Sequence, residues 1–186
     1  MGIKRKIMDR FFQKEISKEI YNAKSEVYAK VYGEIAELKK QNNELEKINR
    51  HLEIIYNIFK KYQDAKIIGV EKNIEGEEFF VVLQVKMETI LLINEFNLNC
   101  ASLLYYEIYQ GDTKEIELVD LLPRRVNLHE GEILVSALIN YGKEINATKI
   151  FGKLSPVDND HKDRRNHFYE KMGFAINGSK IEMKLN

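Results

Sequence analysis

The 186-residue chain has one cysteine, two prolines, no tryptophan and no net charge. Each scarcity excludes something. A lone Cys100 cannot build an intramolecular disulfide framework and suits a reducing compartment, the cytoplasm. With no histidine near it in sequence, Cys100 reads as a small buried hydrophobe rather than a nucleophile. Two prolines leave no Pro-rich linker. No apolar run approaches the roughly 20 residues of a membrane span. The basic start MGIKRKIMDRFF lacks the apolar segment and cleavage site of a secretory signal, and Lys6 stands where a myristoylation motif has Ser or Thr. The four histidines have no metal-ligand spacing, so no metal is expected.

What remains is a globular composition, 44% hydrophobic and 31% charged, long enough for one core-bearing domain plus an appendage. The zero net charge conceals an asymmetry. Residues 1–62 carry 14 Lys+Arg against 9 Asp+Glu, and residues 63–186 carry 15 against 20. The halves could attract each other, or the basic half could meet an acidic partner. The cluster Lys4-Arg5-Lys6 with Arg10 is short and reads as a solvated helix end, so neither nucleic acid nor membrane is the expected partner.

From about Lys14 to Tyr62 there is no proline and only one glycine, Gly33. Apolar residues recur there on a heptad. One register holds Val31, Leu38, Leu45, Leu52 and Phe59; the other holds Ile20, Val27, Ile48, Ile55 and Tyr62, interrupted by Glu34 and Gln41. Alternating spacings of three and four predict a long helix over residues 1–62 that supercoils against a partner helix, most simply in a homodimer. The other readings are a helix folded back on its own domain or broken near Gly33.

Composition changes after Gln63-Asp64, where the second domain, 63–186, is expected to begin. Short β-type runs follow at Lys66–Val70, Glu78–Met87, Thr89–Glu95, Ala101–Tyr109 and Glu115–Leu121. Their separators, Asn73-Ile74-Glu75-Gly76, the Asn97–Cys100 stretch and Gln110-Gly111-Asp112, are turn chemistry and predict an antiparallel meander.

The loop Pro123–Gly131 then joins a strand-like run to a helical pattern, Glu132–Asn146, whose apolar stripe is Ile133, Leu134, Ala137, Leu138, Tyr141 and Ile145. A further strand-like run, Thr148–Leu154, completes a βαβ crossover with parallel strands. The loop therefore lies at the carboxyl end of one strand and the amino end of a helix. Open amides and the helix dipole make that a natural anion site; an ordinary connection with solvent-facing arginines is the alternative. A second helix is expected from about Asp160 to Met172, capped by Asp158, Asn159 or Asp160 and stopped by Gly173. Asn177-Gly178 marks a closing hairpin.

Several of these residues form a recognisable pattern. Leu121-Leu122-Pro123 through Gly131, then Ile133-Leu134-Val135, Ile150-Phe151-Gly152 and His167-Phe168-Tyr169-Glu170-Lys171-Met172-Gly173-Phe174, resemble the GNAT acyltransferase superfamily. The resemblance covers roughly residues 114–185. It implies an α+β fold with a mixed, mostly antiparallel sheet around a central parallel βαβ unit, here preceded by a long N-terminal helix. The family's loop pattern, R/Q-x-x-G-x-G/A, falls without gaps on Val126 to Gly131. Val126 stands where Arg or Gln is usual, His129 where the first glycine is usual, and only Gly131 is kept. Glycines let backbone approach a pyrophosphate, and a β-carbon at His129 opposes that. Glu130 and Glu132 add negative charge beside a polyphosphate.

The resemblance implies acetyl-CoA as co-substrate and direct attack of an unidentified amine on its thioester. Leu121 would offer backbone hydrogen bonds to the pantetheine arm, and the amides from Asn127 through Leu128, His129, Glu130 and Gly131 to Glu132 would hold the pyrophosphate. Arg124 and Arg125 would supply the cationic charge that Val126 lacks. Tyr169, in the family's tyrosine position, is the expected general acid. Glu117, on the strand before the loop, is the expected base, with Glu115 and Asp120 as competitors. The competing function is a catalytically impaired relative acting as a dimeric interaction module.

Overall fold

The computed structural model describes residues 2–96, 98, 102–155 and 161–185, with backbone alone at residues 2–7 and 9. The readings of Cys100 and of Asp158, Asn159 and Asp160 as helix caps lie outside the described residues. Helix α1 spans Gly2–Lys61 without a break. Gly33 does not interrupt it: a β-carbon there would meet nothing within 4 Å, so the glycine occupies an open helix surface.

The chain divides into two compact units, Met1–Leu52 and Glu53–Asn186. The division falls inside α1 for a physical reason. Ile54 and Ile58 are buried with Phe80, Val82, Leu91 and Ile93, and Ile55 and Tyr62 pack at the margin of that cluster. One heptad register thus ends in the second unit's own core. In the first unit, Val31, Leu38, Leu45, Ile48 and Leu52 remain 43–63% exposed.

The second unit is an eight-stranded sheet. Strands β1 (Ala65–Lys72), β2 (Glu78–Gln84), β3 (Thr89–Ile93), β4 (Ser102–Gln110) and β5 (Lys114–Leu122) form the expected antiparallel meander. Helix α2 (Glu130–Glu144) crosses over to β6 (Lys149–Lys153), which pairs parallel with β5. Helix α3 (Lys162–Lys171) leads to the hairpin β7 (Ala175–Asn177) and β8 (Lys180–Lys184). The order across the sheet is β1-β2-β3-β4-β5-β6-β8-β7. The mixed sheet, its single parallel pair and the preceding helix match the expected architecture.

Residues alternate between the two sheet faces. Phe79, Val81, Leu83, Ile116 and Leu118 join the large core under Leu134, Val135, Ala137 and Leu138 of α2. Phe80 and Val82 face the last turns of α1. Both faces of β2 and β3 are therefore covered, which explains their continuous apolar runs. Gly173, at φ 92°, ends α3 as expected, and Gly178, at φ 63°, turns the final hairpin.

Two irregularities shape the site. Tyr105 pairs with Asp120 while Tyr106 pairs with Leu118, so Val119 is an extra residue, a bulge in β5. The parallel ladder between β5 and β6 ends at the Leu118–Gly152 rung, while β5 continues beside β4 to Leu122. Gly152 makes that last rung possible. A β-carbon on it would lie 2.7 Å from the Leu118 carbonyl oxygen.

Candidate functional site

Past the last parallel rung, the β6-facing edge of β5 has no ladder partner among the described residues, and a cleft of about 560 Å³ opens there. Leu118–Pro123 of β5 and its end form one wall. Arg125–Asn127 and His129–Glu132 form the end nearest α2, with Lys153–Ser155 and α3 opposite. Tyr169 lines the cleft, is buried, and packs edge-on against both Phe168 and Phe174.

The loop turns twice through left-handed backbone. Asn127 and His129 have φ of 65° and 66°. Asn tolerates that region, and His129, in the position where glycine was expected, adopts it too. His129 is the N-cap of α2 but makes no side-chain capping hydrogen bond. The Ile133 amide donates to the His129 carbonyl at 3.0 Å. The amides of Glu130, Gly131 and Glu132 precede it and are the open donors of a first helical turn. A β-carbon added at Gly131 would meet Phe168 and Leu121 at ordinary contact distance, so Gly131 lines the cleft without being sterically required by the fold.

The loop's charges are arranged differently from what the sequence suggests. The Glu130 carboxylate is buried. It accepts from Ser102 Oγ at 2.5 Å, from the Arg125 amide at 3.4 Å and from Arg125 Nε at 3.1 Å. Arg125 also donates to Glu75 at 3.2 Å and to Glu77. These carboxylates hold the guanidinium charged, above its ordinary range, with Glu77 the largest contributor. Arg125 thus has three carboxylate partners within the protein. Arg124 is exposed and is not among the residues lining the cleft, nor is Leu128. Glu132 is paired with Lys171 at 2.8 Å and lies 3.7 Å from His129 Nε2. Both glutamates that oppose a polyphosphate on paper are therefore partnered by cations.

The cationic side of the cleft is one the sequence reading did not single out. Lys153, Arg164 and Arg165 line it, with His161 and His167. Arg165 Nη1 donates to the Ser155 carbonyl at 2.7 Å, while its Nε is buried with no partner among the described residues. The Arg164-Arg165 pair could have been flagged, but it looks the same as Arg124-Arg125 in sequence. What separates the two pairs is the company each keeps in space.

Of the candidate carboxylates, only Asp120 lines the cleft among the described residues. Its Oδ1 accepts from the Leu121 amide at 2.9 Å, the group expected to face the pantetheine arm. Glu117 alternates with the core residues Ile116 and Leu118 and so faces the opposite side of the sheet. There it accepts from the Tyr109 hydroxyl at 2.8 Å, and Glu107 does the same. Those two bonds, Glu117's first, push the Tyr109 phenol above its ordinary range. Glu115 is paired with Lys149 at 3.2 Å. The structure therefore brings Tyr169, Leu121, Asp120 and the loop amides to one cleft and leaves Glu117 on the far face of β5.

No family model matches the sequence, and no curated protein matches it. Over 54–55% of its length the chain is similar to solved GNAT-family acetyltransferases. One is an acetyltransferase from Staphylococcus aureus Mu50, 18% identical over 55% of this chain and 71% of its own, with a TM-score of 0.42. Another is from Listeria monocytogenes 4b F2365, 14% identical over 54% and 67%, TM-score 0.43. The chain is also similar to the NatC complex bound to Gag peptide and CoA, 14% identical over 53% of this chain and 71% of that one, TM-score 0.44. At these values no residue role or activity is transferred to this chain.

Proposed function

We propose that the chain is an acyl-CoA-dependent N-acyltransferase, using acetyl-CoA and an amine acceptor. One observation carries this reading. The two parallel strands stop pairing at Leu118 and Gly152, and the gap between them opens onto the donor amides at the start of α2. That combination suits a ligand with an extended amide-bearing arm and a polyphosphate end.

The residues present fit such a ligand. The unladdered edge of β5 offers strand-like hydrogen bonds to the arm, as an added strand would use. The Leu121 amide takes part once the ligand displaces the Asp120 carboxylate from it. The amides from Asn127 to Glu132, the α2 dipole, Lys153, Arg164 and Arg165 hold the phosphates. Arg125 acts on the loop rather than on the ligand.

Acetyl-CoA supplies the acyl thioester. The amine nitrogen forms a bond to the thioester carbon as the carbon–sulfur bond breaks. Tyr169 gives its phenolic proton to the departing thiolate. The amine's proton passes to a carboxylate on β5: Glu117 for an amine reaching the gap from the far face, Asp120 for one inside the cleft. Calorimetric titration with acetyl-CoA tests the reading. Saturable binding is expected, and no detectable heat at millimolar ligand would sink it.

A second observation favours self-association. The exposed stripe Val31, Leu38, Leu45, Ile48 and Leu52 repeats on a heptad and lies outside the sheet's core. We infer that a second copy of the chain covers it, as two-stranded coiled coils do. Replacing Leu45 and Leu52 together by Lys should convert the sedimenting species from dimer to monomer with the fold intact. A dimer that survives both substitutions refutes the seam.

A further inference from the structure

Among the described residues five polar ones are buried, and four of them, Asn73, Asn94, Ser102 and Glu130, belong to one connected network. It starts at the β1–β2 turn, where Asn73 Oδ1 accepts from the Glu75 and Glu77 amides at 3.0 Å each. Asn73 and Asn94 both donate to the Glu77 carboxylate, at 3.2 Å and 2.5 Å. Glu77 and Glu75 accept from Arg125. Arg125 Nε reaches Glu130, Glu130 accepts from Ser102 Oγ, and Ser102 Oγ accepts from the Arg124 amide at 2.7 Å. The chain of bonds therefore runs from one end of the meander to the backbone of the cleft loop.

That loop holds two residues, Asn127 and His129, in left-handed backbone that a β-carbon disfavours. Such conformations persist only where surrounding contacts over-determine them. The network brackets the loop on both sides: Arg124 and Arg125 before the two residues, Glu130 immediately after. A buried carboxylate is costly unless it is partnered, and Glu130 accepts from Ser102 of β4 and from Arg125 of the loop.

We propose that Glu130 is a positioning residue. With Ser102, Arg125 and Glu77 it forms a latch that holds the loop amides in their ligand-facing arrangement, in place of the backbone freedom a glycine at 129 would give. Arg125 is the bolt of this latch: it lines the cleft, and its three guanidinium nitrogens are taken up by Glu130, Glu75 and Glu77. The ligand part of the proposal rests on the acyl-CoA reading; the latch itself does not.

Amide exchange measured by NMR on the full chain separates the two. Arg125→Met removes the bolt while leaving the Ser102 acceptor for the Arg124 amide in place. The latch predicts that exchange at Arg124 and Ile133 accelerates about tenfold or more, with β2 and β3 amides unchanged, because coupled polar networks loosen together. Glu77→Gln, remote from the cleft, should produce the same pattern more weakly and serves if Arg125→Met fails to fold. Unchanged exchange at Arg124 and Ile133, or acceleration spread evenly over the sheet, would overturn the latch. Titration with CoA gives the second arm: Arg125→Met should bind it about tenfold more weakly, and Glu77→Gln more weakly by a smaller factor. If wild-type protein shows no CoA binding, the acyl-CoA reading fails while the exchange data still decide the latch.

Discussion

Gly152 and Gly131 flank the same cleft, and the structure predicts opposite responses to a single added methyl group. In Gly152→Ala the β-carbon would lie 2.7 Å from the Leu118 carbonyl oxygen and 3.4 Å from Ile181. The near atom is backbone of an adjacent, buried strand, so no rotamer change relieves the clash. The β5–β6 rung must open by several tenths of an ångström. Overpacking of that kind costs about 1–3 kcal/mol, and in a chain of this size each kcal/mol lowers the midpoint by about 2–4 °C. In Gly131→Ala the new carbon meets Phe168 at 3.5 Å and Leu121 at 3.7 Å, both ordinary contacts. Because the site is helical, alanine there should be neutral or add up to about 1 kcal/mol of stability. Its methyl group enters the cleft, however, and should weaken acetyl-CoA binding. Thermal unfolding of both variants, followed by ligand titration, checks the whole argument. A Gly152→Ala protein that melts with wild type, or a Gly131→Ala protein that loses as much stability, would refute the reasoning about where the strands must touch.

Other consequences concern the chemistry. Tyr169→Phe removes the proton donor but keeps the aromatic packing against Phe168 and Phe174, so turnover should fall about 100-fold with acetyl-CoA affinity unchanged; a fall in affinity instead would make Tyr169 a packing residue only. Asp120→Asn removes a cleft charge and loosens a competitor for the Leu121 amide. At a separation of about 10 Å and an effective dielectric near 20, one charge is worth about 1–2 kcal/mol before screening, so acetyl-CoA should bind about threefold to tenfold more tightly, and unchanged or weaker binding contradicts that role. Glu117→Gln should lower turnover and leave affinity alone; turnover lost in Asp120→Asn but kept in Glu117→Gln would move the base into the cleft.

Much of the fold was legible because its determinants are local. The alternating runs between turn residues marked the meander, the strand–loop–helix–strand order required a parallel pair, and Gly173 and Gly178 fell at left-handed positions as their neighbours implied. The site was legible in position more than in chemistry. Arg125 finds Glu75 and Glu77 some 50 and 48 residues away, a pairing no spacing reveals. Glu130 looked like a repulsive surface charge because nothing in sequence places it against Ser102. Ile54 and Ile58 were hidden beside a heptad that competes for the same helix, and only the sheet's second face shows why they turn inward. Asp120 looked like one of three equivalent strand carboxylates. The bulge at Val119 sets Asp120 opposite Tyr105, on the face that Glu117 shares, and its place past the last parallel rung makes it the one of the three that lines the cleft.

In the function proposed above, the amides between Asn127 and Glu132 receive the phosphates of a coenzyme A thioester. A nitrogen–proton correlation spectrum recorded during titration with CoA tests it at the residues themselves. Progressive, saturable shifts are expected at Asn127, His129, Gly131 and Glu132, accompanied by Leu121 as Asp120 releases it, with the β1–β2 turn little changed. A spectrum that stays unmoved at millimolar CoA, or that moves only outside this loop and strand, would contradict it.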